Sequence, residues 1–181
     1  MNAKTLMTAE ELLDLPDDGL RHELVEGELR TMTPSGGEHG WIAAKLARVV
    51  GNVVDSNDLG AVFGAETGFK LRSDPDTVRA PDLAFIRKER ISDPSILQGF
   101  VSIVPDLVAE VISPGDRYTE VDEKVAEWLA AGVELVWVLN PRRRTIAVHS
   151  AAGILLLTAT DELTGGSVLP GFACRVSELF P

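Results

Sequence analysis

Leu107-Val108-Ala109-Glu110-Val111-Ile112 is an apolar run broken by a single charge and closed by Ser113-Pro114-Gly115. Runs of this kind mark strands buried on both faces of a sheet. Downstream, Arg117 to Ala131 sets Val121, Val125, Trp128 and Leu129 on one stripe, the spacing of an amphipathic helix. Gly132 supplies its stop. Leu135 to Leu139 is apolar again and reads as the next strand. Strand, helix and strand over residues 105–139 form a βαβ unit, whose two strands are expected to be parallel and adjacent or nearly so.

Outward from this unit, the chain alternates short strands and helices. Thr8 and Glu11 form a capping box that opens a short helix ending before Pro16. His22–Val25 and Leu29–Met32 flank Glu26-Gly27 and read as a β-hairpin. After a turn at Pro34–Gly37, a second amphipathic helix runs from Glu38 to about Asp55, with Trp41, Ile42, Leu46, Val49, Val50 and Val53 at three- and four-residue steps. Strands are expected near 61–63, 68–71 and 81–86, and a loop with some helix over 92–100. A hairpin is expected over 145–148 and 154–158. The tail, with Leu169-Pro170-Gly171-Phe172 and a last turn near 176–179, reads as packing material. Neither repeats nor a linker divide the 181 residues, so a single α/β domain over 1–181 is expected, a mixed central β-sheet flanked by helices.

Composition narrows the class. No apolar run reaches the roughly 18–20 residues a membrane helix needs, and the polar, acidic Met1–Glu11 segment is unlike a signal peptide. The lone Cys174 allows neither an internal disulfide nor a cysteine-based zinc site. A cytoplasmic location is the expectation. The net charge is −11, from 17 basic and 28 acidic residues, which runs against the basic excess usual in nucleic-acid binders. Arg142-Arg143-Arg144 and the group Arg87, Lys88 and Arg90 are the nearest approach to basic patches.

Glu110 is the principal chemical anomaly. A carboxylate in a central strand pays several kcal/mol of desolvation unless it is paired or binds a cation. A structural salt bridge and a metal or catalytic role both answer that demand. Asp82 follows Pro81 and opens the strand Leu83-Ala84-Phe85-Ile86. The Pro-Asp pair recurs at 16–17, 75–76 and 105–106; of these only 105–106 also leads into a strand, and it lies at the far end of the Glu110 strand. Lys124 stands on the flank of the helical stripe, where it can reach round toward the sheet, or pair with Glu120 or Glu127. His39 opens the second helix. Glu23 or Glu26 on the hairpin could add a carboxylate, and Glu26, beside Gly27, is preferred.

Taken in order, several segments carry a resemblance. They are Glu23-Leu24-Val25-Glu26-Gly27-Glu28-Leu29, Pro34-Ser35 with His39, Arg79-Ala80-Pro81-Asp82-Leu83-Ala84-Phe85 and Pro105-Asp106 through Pro114. Lys124, Trp128, Ala131 to Trp137 and Leu169-Pro170-Gly171-Phe172 continue the series. Together they resemble the Uma-type "putative restriction endonucleases", over nearly the whole chain. The resemblance implies a PD-(D/E)XK nuclease fold with an acidic Mg²⁺ site, at which Mn²⁺ would substitute. It makes Asp82 and Glu110 the metal-binding acids, and Lys124 the replacement for a strand lysine whose place Ile112 occupies. Glu26 and His39 match recurrent family positions and complete the candidate catalytic set.

Hard oxygen ligands of this kind suit Mg²⁺. The expected function is Mg²⁺-dependent hydrolysis of DNA phosphodiester bonds by metal-activated water, by a homodimer or higher homo-oligomer. The alternative is a catalytically silent nuclease fold used as a binding or assembly module, which the net charge and the missing strand lysine favour.

Overall fold

The computed structural model describes residues 6–181. Helix α1 (Ala9–Leu13) begins at Thr8, whose hydroxyl accepts from the Glu11 backbone N–H while the Glu11 carboxylate accepts from the Thr8 N–H. Strands β1 (Arg21–Val25) and β2 (Glu28–Met32) form the expected hairpin. Its turn places Glu26 at φ 51° and Gly27 at φ 76°, the left-handed pair that matches strand twist in a two-residue loop. Helix α2 covers Gly37–Ser56. Strands β3 (Gly60–Gly64), β4 (Phe69–Arg72), β5 (Thr77–Arg79), β6 (Leu83–Arg87) and β7 (Leu107–Val111) follow. Helix α3 (Tyr118–Ala131) ends at Gly132, whose φ of 107° is a left-handed helix stop. Strands β8 (Leu135–Asn140), β9 (Thr145–Ser150), β10 (Gly153–Leu157), β11 (Glu162–Gly165) and β12 (Leu169–Arg175) complete the chain.

The central sheet has six strands in the order β10-β9-β8-β7-β6-β3. β7 and β8 pair in parallel, as the intervening helix demands, and every other pairing is antiparallel. Alternation along β6 and β7 divides the core. Leu83, Phe85, Leu107 and Ala109 pack toward α2, through Ile42, Leu46 and Val50. Ala84, Ile86 and Val108 pack toward α3, through Val125 and Trp128. Glu110 is two residues beyond Val108 and so projects to the α3 side.

Three departures from the sequence reading affect the architecture. The β1–β2 hairpin is not part of the central sheet; it belongs to a second, antiparallel sheet in the order β2-β1-β5-β4. Strand β5 was not expected, because Thr77-Val78-Arg79 is too short to show a period. The tail forms a β11–β12 hairpin, broken at Thr164/Gly165 by a register shift. No described helix is long and apolar enough to cross a membrane.

Candidate active site

Antiparallel pairing sets Leu83 of β6 opposite Ala109 of β7. That register brings Asp82, just ahead of β6, beside the residue pair Glu110-Val111. The Asp82 backbone N–H donates to Ala109 O at 3.1 Å, and Asp82 Oδ2 accepts from the Val111 N–H at 2.7 Å. His39, in the first turn of α2, places Nε2 3.1 Å from the same oxygen. On the other oxygen, Oδ1, the nearest cation is Arg21 Nη1 at 3.6 Å. Burial pushes the Asp82 pKa up, but the His39 hydrogen bond and charge, the Val111 N–H and Lys124 prevail, and it lies below the usual carboxylate range. The Asp82 hydrogen bond in turn raises the His39 pKa against the opposing effect of burial.

Glu110 is only 8% exposed. Two side chains one helical turn apart on α3 bind its two oxygens: Lys124 Nζ donates to Oε2 and Trp128 Nε1 donates to Oε1, each at 2.9 Å. Burial still dominates. It raises the Glu110 pKa to about 7, helped by the charges of Asp82 and Glu23 and opposed by Lys124. The Lys124 pKa is depressed by burial but raised overall by Glu110 and Glu23, so the ammonium stays charged.

The structure gathers Asp82, Glu110, Lys124 and His39 on the floor of one cleft of about 700 Å³. It does not bring Glu26 there. Glu26 sits at the exposed tip of the hairpin turn, paired with Arg72 at 2.7 Å. A two-residue turn carries its side chains away from the sheet face that the strand presents to the cleft. The hairpin carboxylate in the cleft is Glu23 instead, buried there with Asp82 and Glu110. Its Oε1 accepts from the Ala80 N–H at 3.0 Å and lies 3.5 Å from Lys124 Nζ, and its Oε2 accepts from Arg79 Nη1 at 2.8 Å. Arg79 also grips Glu127 of α3 with two hydrogen bonds, at 2.7 and 2.9 Å. Burial pushes the Glu23 pKa up, but Lys124 and Arg79 hold it low. Arg21, Arg79 and Trp128 also escaped the site reading. Arg79 and Trp128 lie within the segments that carry the resemblance, but nothing in their spacing shows which acid each would meet.

The basic clusters resolve differently. Arg87 and Arg90 both pair with the buried Asp106, at 3.0 and 2.9 Å, and Lys88 pairs with Asp58. They are structural ties at the far end of β7.

A central mixed sheet flanked by helices is the architecture of the restriction-endonuclease-like nucleases. A family model described as "Putative restriction endonuclease", Uma2, matches residues 9–177, and the chain belongs to that family. Among solved structures, it is similar to a "putative nuclease belonging to DUF820" from Anabaena variabilis ATCC 29413. That likeness has a TM-score of 0.81 at 22% identity and covers 96% of this chain and 97% of the other; at that identity it is a likeness of fold. No curated protein matches the chain.

Among the described residues, no group of three or more His, Cys, Asp or Glu side chains is arranged to hold a metal ion. The donor set nevertheless fits Mg²⁺, which binds through one or two carboxylates and keeps several waters. Asp82 Oδ1 has only a 3.6 Å ion-pair contact, which leaves it free to take a ligand.

Proposed function

We propose that this protein is a Mg²⁺-dependent endonuclease that hydrolyses DNA phosphodiester bonds at the Asp82–Glu110–Lys124 floor of the cleft. The observation that carries this reading is the 2.9 Å contact between Lys124 and Glu110. It returns to the strand carboxylate, from a helix, the cation that Ile112 cannot supply.

In this reading Asp82 and Glu110 hold the ion. A bound Mg²⁺ lowers the pKa of coordinated water and offsets charge gathering on the phosphate. The chain's own residues set the geometry. Val111 N–H and His39 hold Asp82 from one side, which leaves Oδ1 toward the cleft. Trp128 fixes Glu110 Oε1. Lys124, kept protonated by Glu110 and Glu23, stands ready to orient the attacking water or to bind a non-bridging phosphate oxygen. Glu23 secures Lys124 from the β1 side and is itself anchored by Arg79. With a Glu110 pKa of about 7, ion binding competes with a proton, so affinity should fall below about pH 7.

The test is calorimetric titration with Mn²⁺, followed by plasmid nicking in Mg²⁺. The parent should bind and nick. Asp82→Asn should do neither. Lys124→Met should bind the ion nearly as well and lose nicking, because the lysine acts on water or phosphate. Equal Mn²⁺ affinity for the parent and Asp82→Asn would move the metal site elsewhere. Undiminished nicking by Lys124→Met would leave Lys124 as an ion-pair partner only.

A second reading, a silent nuclease fold used for binding, draws on the α3 side of the cleft. Asp116, Glu120, Glu123 and Glu127 line it and repel phosphate. Ion binding without any nicking would favour it.

A further inference from the structure

Strand β10 forms one edge of the central sheet. It pairs with β9 on one side, from Gly153 opposite Ser150 to Leu157 opposite Ile146. On its other side no strand among the described residues pairs with its backbone N–H and C=O groups. Three consecutive large aliphatic residues on this edge are open to solvent: Ile154 at 70%, Leu155 at 59% and Leu156 at 59%. Successive strand residues face opposite sides of the sheet, so the edge is apolar on both faces as well as along its backbone.

Edge strands are ordinarily protected against this. Charged side chains, proline, a bulge or a covering helix keeps them from templating another strand. The β10 edge has none of the sequence devices. Residues 145–160 contain no Asp, Glu, Lys, Arg or Pro, and the β9–β10 register is unbroken. At the opposite edge, β3 is partly buried along most of its length and flanked by the Lys88–Asp58 ion pair.

We infer that β10 is a homodimer interface, at which a second copy of this chain adds its own β10 antiparallel to the first and continues the sheet. Two features select a second copy over another partner. The first is charge. The chain carries −11, so two copies repel wherever their acidic surfaces meet, and the uncharged 145–160 strip is where approach is least opposed. The strip equally offers nothing to a charged ligand. The second is symmetry. Under a two-fold axis at Leu155, each Leu155 faces its counterpart, and Ile154 faces Leu156 of the second copy. The three central cross-strand pairs are then aliphatic, with Gly153 opposite Leu157 at each end, an isologous contact in which one patch serves both sides.

The register also relates the interface to the cleft. Glu110 is opposite Val138, Val138 opposite Ala147, and Ala147 opposite Leu156. Leu156 therefore lies on the Glu110 face of the sheet. A two-fold perpendicular to the sheet keeps both clefts on one face, separated by seven strand spacings, on the order of 30 Å. Each cleft is complete within its own chain.

The experiment uses the full chain in sedimentation velocity over a hundredfold concentration range, with Leu156→Lys and Ile154→Lys as variants. The parent should sediment at twice the 19.5 kDa chain mass and dissociate on dilution. Either lysine should shift it to monomer at every concentration, with an unchanged far-ultraviolet circular dichroism spectrum. A second measurement does not depend on a disruptive change. In a Cys174→Ser background, Leu155→Cys should form a disulfide-linked dimer under mild oxidation, because a residue on the two-fold meets its own copy at disulfide range. A cysteine replacing Ser35, at the cleft mouth, should not. A parent that stays monomeric throughout overturns the inference. So does a dimer that survives both lysine substitutions, or failure of Leu155→Cys to cross-link while the parent dimerises. The outcome is independent of nuclease activity.

Discussion

At Glu110, burial raises the pKa to about 7 against an ordinary value of 4.5. The unfolded chain therefore ionises this group at lower pH than the folded chain does. Stability attached to the protonated form begins to fall as pH rises past about 4.5, and the loss is complete above about 7. Glu110→Gln keeps the shape and cannot ionise. In EDTA, the melting temperature of Glu110→Gln relative to the parent should climb between about pH 5 and about pH 8, by the equivalent of roughly 1–3 kcal/mol. A difference that runs the other way with pH would make Glu110 a structural ion-pair partner. Trp128 tests the same carboxylate from its other oxygen. Trp128→Phe keeps most of the ring in the core but removes the donor to Oε1, so it should cost about 1–3 kcal/mol in a denaturant melt. It should also weaken Mn²⁺ binding by roughly tenfold, the scale of effect seen when a ligand loses its supporting hydrogen bond. A stability loss with unchanged Mn²⁺ affinity would assign Trp128 to packing alone.

Helix α3 is the element that assembles the cleft. It packs its apolar stripe against Val108, Val136 and Val138, and from one flank it sends Lys124 and Trp128 to Glu110 and Glu127 to Arg79. Arg79, at the end of β5, thereby joins the small sheet, through Glu23, to the helix on the central sheet. Its removal would leave Glu23, which is 1% exposed, without its closest cation. Arg79→Ala should therefore destabilise the fold by about 3–5 kcal/mol, as breaking a buried ion pair does, read as a fall in the urea midpoint with little change in slope. Were the loss below about 1 kcal/mol, the size of a surface pair, the Glu23–Arg79–Glu127 chain would not tie the two sheets together. The helix was plain in the sequence because its stripe repeats over 14 residues. Strand β5 was not, because three residues show no period, and β11 and β12 were hidden by glycines and a register shift.

At the scale of the molecule, and among the described residues, the cations of the cleft and of the far end of β7 are engaged. Arg87 and Arg90 serve Asp106, and Arg79 and Lys124 serve the cleft carboxylates. On the cleft rim Arg30 is exposed, with a 3.8 Å contact to Glu28, and Arg142 donates to the Pro114 carbonyl, between the cleft residues Ser113 and Gly115. About two phosphate contacts give a slope of about −2 for log affinity against log salt. Fluorescence anisotropy of a labelled duplex across a salt series measures that slope, and a value steeper than about −6 would reveal a basic surface that these pairings do not leave free.

Much of the protein was determined locally, by side chains whose period or isolation carries meaning along the chain. The parallel β7–β8 pair follows from an apolar run, a helix and a second apolar run. Glu110 stands out because burial of a charge demands a partner. Asp82 and His39 stand at a loop-to-strand and a loop-to-helix boundary, positions that are weak signals alone, and the family resemblance made them candidates. Which groups meet was decided only by the tertiary structure. The pairing of Leu83 with Ala109 delivers Asp82 to Glu110 across 28 residues of chain, and no local pattern encodes that register. The separate sheet formed by β2, β1, β5 and β4 chose Glu23 over Glu26, because the turn at Gly27 sends one carboxylate to solvent while β1 buries the other. Motif adjacency favoured Glu26; the direction of a strand side chain, which exists only once the sheets have packed, favoured Glu23.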